Sequence, residues 1–142
     1  MPDRVFTVAE ANSALHEVRP AVERLVSARA RLRELEQAQG ALVTAIGGNG
    51  AGYAASDLNM AQAEFQRLAE LAREGLERLN ELGVIVKDLD AGLVDFPARR
   101  AGADVLLCWQ AGEDLVAYWH PLDEGFASRK PIDWDEEAAR GA

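Results

Sequence analysis

Apolar positions along the chain first recur at helical spacing and then, after residue 83, in short extended runs. Leu15, Val18, Val22, Leu25, Val26, Leu32 and Leu35 return every three, four or seven residues, which lines them up on one side of a helix. Thr7-Val8-Ala9-Glu10 precedes them with the spacing of a capping box. The threonine hydroxyl can accept an orphan backbone N–H, and the glutamate can reach back to the threonine N–H. A helix is therefore expected from Val8. Pro20 lies inside it, where it either kinks one long helix or opens a second as its first residue; a kink in one helix is the reading carried forward. The helix is expected to end near Gly40, with Ala41 to Ile46 able to extend it. Gly47-Gly48-Asn49-Gly50-Ala51-Gly52 is too permissive to hold a helix and reads as a turn.

Ser56 can cap a second helix, in which Leu58, Ala61, Phe65, Leu68, Ala72, Gly75, Leu79 and Leu82 alternate by threes and fours, a coiled-coil-like seam. Leu71 and Leu76 widen that stripe beyond one partner helix. Gly83 stops the helix at the position that tolerates a left-handed conformation. Short apolar runs then follow at Val84 to Lys87, Leu93 to Phe96, Val105 to Trp109 and Leu115 to Trp119, separated by Asp, Gly and Ala-Gly turn signals. Gln110-Ala111-Gly112-Glu113 reads as a tight hairpin turn, and Pro121 ends the last strand. The fold class predicted is α+β: an antiparallel helical hairpin over 7–82, packed with an antiparallel meander of about four short strands over 84–121. All of 1–142 forms one domain, with a disordered tail over 133–142 unless Trp134 anchors it.

Charge narrows the partners. The chain carries 24 acidic against 15 basic residues, a formal net charge of −9. Nucleic-acid and acidic membrane surfaces bind through clustered Lys and Arg, so neither is an expected partner. No segment has the apolar run of a signal peptide or a spanning helix, which makes a cytoplasmic location the expectation. A single cysteine, Cys108, excludes an internal disulfide and a thiolate-cage metal site.

Residues able to carry chemistry gather after Gly83. Asp88 and Asp90 flank a strand connection, where aspartates commonly bond their own backbone to shape a turn. The alternative is that Asp88, Asp90, Asp95, Glu124 and His120 converge on a divalent metal, although their spacing matches neither an EF-hand nor a two-histidine zinc helix. Asp95 sits inside an apolar strand and needs a partner, for which Lys87 in the neighbouring strand is the obvious choice. His120, Asp95 and Lys87 are the catalytic candidates, with a structural histidine and a structural ion pair as the preferred readings. His16 reads as solvent-facing. Cys108 with His120 could form a nucleophile and base, but its place among Leu106, Leu107 and Trp109 reads as an inert buried thiol. Arg129, with Trp109 and Trp119, could bind an anionic ligand. Nucleophile-elbow, Walker and dinucleotide fingerprints are all missing.

VKDLDAGLVDFPARRAG followed by VLLCWQAGEDLVAYWHPLDEGFASRKPI resembles the bacterial family of uncharacterised conserved proteins called domain of unknown function 2203. FTVAEANSAL, ahead of a helix containing Pro20, resembles the opening of that family. The positions matching its pattern are Lys87, Asp88, Asp90, Gly92, Asp95, Pro97, Trp109, Gly112, Glu113, Trp119, His120, Gly125, Phe126 and Arg129. The resemblance implies the architecture and assigns no activity. Two functions stay open: a non-enzymatic interaction or ligand-binding module that dimerises through its hairpin, which is preferred, and a metal-dependent or small-molecule hydrolase around His120 with Asp88, Asp90 and Glu124.

Overall fold

The computed structural model describes residues 4–48 and 55–134, apart from the side chains of residues 39, 41–48 and 55–58. Thr7 and Glu10 close the reciprocal capping box: the Glu10 N–H donates to Thr7 Oγ1 at 3.0 Å and the Thr7 N–H donates to Glu10 Oε1 at 2.9 Å. Helix α1 accordingly spans Val8–Gly48. It passes through Pro20 as one helix. Pro20 is exposed, on a side where water can replace the hydrogen bond that proline removes. The helix also runs on past Gly40 to Gly48. One glycine costs a helix about 1 kcal/mol relative to alanine, too little to end it between Ala38 and Ala41-Leu42. The later part of the predicted glycine turn, residues 49–52, lies outside the described residues.

Helix α2 spans Ala55–Glu81, so Ser56 falls within its first turn and not ahead of it. Ion pairs Glu17–Arg78 at 2.6 Å and Arg31–Glu64 at 3.2 Å tie the two helices antiparallel. Leu68, Ala72, Leu79 and Leu82 are buried along the predicted seam, while Leu76 stays exposed. Gly83, at φ +86°, terminates α2: its N–H donates to the Asn80 carbonyl and the Val84 N–H to the Leu79 carbonyl, both at 3.0 Å. These two bonds make a Schellman motif.

Five strands follow, one more than the apolar runs predict: β1 Ile85–Asp88, β2 Leu93–Arg100, β3 Ala103–Gln110, β4 Tyr118–Pro121 and β5 Lys130–Pro131. They pair antiparallel in sequence order. β5 is two residues long, too short to show any alternation of polarity. β4 begins later than the expected Leu115 because α1 captures the preceding segment. The Val116 N–H donates to Asn12 Oδ1 at 2.8 Å, and the Arg19 guanidinium donates to the carbonyls of Glu113 and Asp114 at 3.1 and 2.8 Å. The turn at Gln110–Glu113 does form, with Gly112 at φ +102°, but the chain leaves β3 there and rejoins it at Tyr118.

Strand alternation divides the sheet into two faces. Val94, Phe96, Ala98, Val105, Leu107 and Trp109 join the helices in one apolar core. The outer face carries Asp95, Pro97, Leu106, Cys108 and His120, as fixed by the register pairs Asp95↔Cys108, Pro97↔Leu106 and Leu106↔His120. At one end of the sheet Trp134 packs edge-on against Trp119, with ring centroids 5.6 Å apart, so the chain is anchored at least that far. The rest of the predicted tail, residues 135–142, lies outside the described residues.

The turn before β2 is pressed onto α1. Gly92 has φ +70°, and a Cβ there would lie 2.8 Å from the Ala111 Cβ and 3.0 Å from methyl groups of both Val22 and Val26. Gly92→Ala should lower stability by about 2 kcal/mol through overpacking and left-handed strain. Gly102→Ala, with φ +82° but nothing within 4 Å, should cost less than Gly92→Ala in the same urea unfolding series.

Candidate functional site

Three adjacent strands each place one metal-ligating or catalytic side chain on the outer face: Asp95 from β2, Cys108 from β3 and His120 from β4. Their donor atoms all lie within 4.8 Å of one another. The three residues are 1%, 0% and 2% exposed, which is unusual for a sheet face turned away from the helices. Leu106 and Cys108 are buried there without belonging to the core shared with the helices.

His120 Nδ1 lies 2.9 Å from the Pro121 carbonyl. A carbonyl only accepts, so Nδ1 carries a proton and Nε2 is turned toward Asp95. Nε2 sits 3.3 Å from Oδ1 and 3.2 Å from Oδ2. With Nδ1 donating, the contact between Nε2 and the carboxyl is a hydrogen bond only through a proton shared by the two. Burial pushes the Asp95 carboxyl up, opposed by the attraction and hydrogen bond of His120. Asp95 Oδ2 has no hydrogen-bond partner despite its complete burial.

Burial, reinforced by the charge of Asp95, pushes the Cys108 thiol up to about 11. A nucleophilic cysteine needs the opposite shift, so Cys108 is a protonated thiol at neutral pH and not a thiolate paired with a base.

Arg129 closes this face. Its guanidinium stacks over Tyr118 at 4.1 Å and Phe126 at 4.2 Å, and it donates to both carboxylate oxygens of Glu113, at 3.0 and 2.7 Å. Burial alone would raise the Glu113 carboxyl, but bonds from Arg129 and from the Gln110 N–H hold it below the usual carboxylate range. Arg129 is thus committed within the chain and is not the exposed anion binder expected from the sequence. Trp109 and Trp119 sit on the inner face. Trp109 Nε1 donates to the Glu113 carbonyl at 3.0 Å, and Trp119 is sandwiched among Trp134, Arg100 and Lys130. The three ligand-binding candidates therefore do not converge.

Of the catalytic and metal candidates, His120 and Asp95 meet, and Cys108 joins them. Lys87 does not pair with Asp95. Ile85 is the residue in register with Asp95, the strand is irregular between Val86 and Asp88, and the exposed Lys87 acts on the carboxyl only through its charge, without an ion-pair contact. Asp88 Oδ1 accepts the N–H groups of Ala91 and Asp90 at 3.0 and 2.9 Å, the turn-shaping role, which holds its carboxyl low. Asp90 pairs with Arg29 and Arg33 of α1. Glu124 is exposed after β4. Among the described residues, no metal-ligand group contains Asp88, Asp90 or Glu124. The sequence reading undervalued Cys108 and did not pair Glu113 with Arg129. The alternation Asp95/Phe96 and Leu107/Cys108 was the available signal, but it points to a site only once the register is known.

A family model described as "Uncharacterized conserved protein (DUF2203)" matches residues 4–132. The chain belongs to the DUF2203 family. Every residue of the outer-face cluster and of the Glu113–Arg129 closure falls inside the DUF2203 match, whereas Trp134 falls outside it. No curated protein and no solved structure matches the chain at a significant level.

Two outcomes follow from this geometry. Cys108 should resist alkylation by iodoacetamide at pH 7.5 in the native protein and react fully in urea, as followed by intact mass. Glu113→Gln should lower stability by about 1–2 kcal/mol at neutral pH, the scale of a charge-assisted bond that is lost. Because the folded Glu113 carboxyl is depressed, its contribution is present above the unfolded value, roughly 4.3, and is lost as pH falls through the folded value. The gap between wild type and variant in urea titrations should therefore shrink on acidification.

Proposed function

We propose that the chain is a cytoplasmic interaction module that dimerises through the outer face of its helical hairpin. What carries this reading is a furrow between α1 and α2. Two cavities, of about 300 and 520 Å³, adjoin along Pro20, Arg24 and Leu71, which line both. The furrow exists because small residues line it. Gly75 approaches α1 so closely that a Cβ would lie 3.4 Å from the Ala21 carbonyl, and Ala28 leaves room farther along. Its rims carry Glu17, Glu23 and Glu74 against Arg24, Arg31 and Arg78. Glu17 with Arg78, and Arg31 with Glu64, are already paired within the chain, so Glu23 and Glu74 against Arg24 are the charges a two-fold copy can set opposite one another.

Leu71, half-buried at the centre of the furrow, would be the apolar anchor. No helix among the described residues is long and apolar enough to cross a membrane. The acidic balance argues for a protein partner over a nucleic acid. A hydrolase built on His120 has less support, since Asp88, Asp90 and Glu124 stand apart from it and a 2% exposed imidazole offers a substrate no approach.

Sedimentation equilibrium at micromolar concentration should give a dimer. Leu71→Glu should weaken association at least about ten-fold while leaving the helical circular dichroism unchanged, because an unpaired carboxylate would have to be buried. A wild-type chain that stays monomeric under these conditions would overturn the reading.

A further inference from the structure

We propose that Asp95, Cys108 and His120 form a binding site for one tetrahedral divalent transition ion of the zinc class, stitching β2, β3 and β4 together on the outer face. The inference is independent of hairpin dimerisation. Imidazole nitrogen, thiolate sulfur and carboxylate oxygen together suit zinc and its neighbours. Calcium and magnesium require oxygen donors throughout.

The spacing points the same way. A desolvated imidazolium–carboxylate bond closes to about 2.7–2.9 Å. Here Nε2 stays 3.2–3.3 Å from both oxygens of Asp95. Zinc bonds of roughly 2.0 Å to nitrogen and oxygen give a tetrahedral edge of about 3.3 Å. Cys108 Sγ, within 4.8 Å of both partners, completes the set with a shift on the order of 1 Å toward a nitrogen–sulfur edge of roughly 3.5 Å.

Two features around the three residues serve a ligand set better than a simple hydrogen-bond network. Nδ1 donates to the Pro121 carbonyl, the backbone support that fixes a ligating histidine with the Nε2 lone pair facing the metal. Asp95 Oδ2 is fully buried and faces His120 Nε2 at 3.2 Å without a well-aligned hydrogen bond, an arrangement that an ion between the two would relieve. Charge also balances: thiolate and carboxylate neutralise a dication, while Arg129 remains paired with Glu113. Binding would release the thiol proton and the proton shared by Nε2 and Asp95. The fourth tetrahedral position falls to a water.

The test uses the untagged full chain, stripped with chelator and titrated with Zn²⁺ and, separately, Co²⁺. One equivalent of zinc should bind per chain and raise the melting temperature. The cobalt form should show intense tetrahedral d–d bands and a near-ultraviolet thiolate-to-cobalt charge-transfer band. Cys108 is the only cysteine, so that band identifies it in the wild type, without relying on the folding of any variant. Cys108→Ser should remove the band, and Asp88→Ala, away from the cluster, should keep it. A folded wild-type chain that takes up neither metal from equimolar solution, or that binds cobalt without the thiolate band, would overturn the proposal.

Discussion

Helix α1 lies across the inner face of β2 and β3, and the burial of Phe96, Leu107 and Trp109 in one cluster with Leu15, Val18, Val22 and Leu25 is the interaction on which the other elements depend. Each of these large side chains contributes about 1.5–3 kcal/mol when fully removed from water, more than any surface ion pair of this chain can offer. The same helix supplies polar hooks. Asn12 and Arg19 hold residues 113–116 and delay the start of β4 to Tyr118. That delay sets His120 opposite Leu106, from which position its ring reaches Asp95 over β3. The outer-face cluster is therefore a consequence of how α1 seats on the inner face.

A five-stranded sheet covered by helices on one side can leave its other side to water. Here the outer side is covered over the cluster as well, by Arg129 stacked on Tyr118 and locked onto Glu113. Closure changes the chemistry of what lies beneath. A carboxyl, an imidazole and a thiol that would titrate independently in water must share protons or find a cation once desolvated. This separates the outer face from the hairpin, whose charged residues remain at the surface in pairs and shape recognition instead of reactivity.

How much could be read in advance depended on the range of each signal. The capping box at Thr7–Glu10, the stop at Gly83 and the turn at Gly112 are decided by residues within five positions of one another, and each formed where the pattern placed it. The turn role of Asp88 is local too, since its carboxylate and the N–H groups it accepts lie within residues 88–91. The partner of Asp95 was not local. Lys87 is nearer in sequence than His120, yet His120 makes the contact and Lys87 acts on Asp95 only through its charge.

The chain's own pattern of greasy and polar residues thus determined the class of fold, the order of its elements and most of their ends, because backbone geometry and solvation act over a few residues at a time. Only the tertiary structure decided that β4 starts late, that a two-residue fifth strand exists, that Arg129 belongs to Glu113, and that Asp95, Cys108 and His120 share one buried cluster on the sheet. Those outcomes rest on strand register and on which segment covers which face. Both are settled by packing between parts of the chain dozens of residues apart, where sequence spacing carries no distance information.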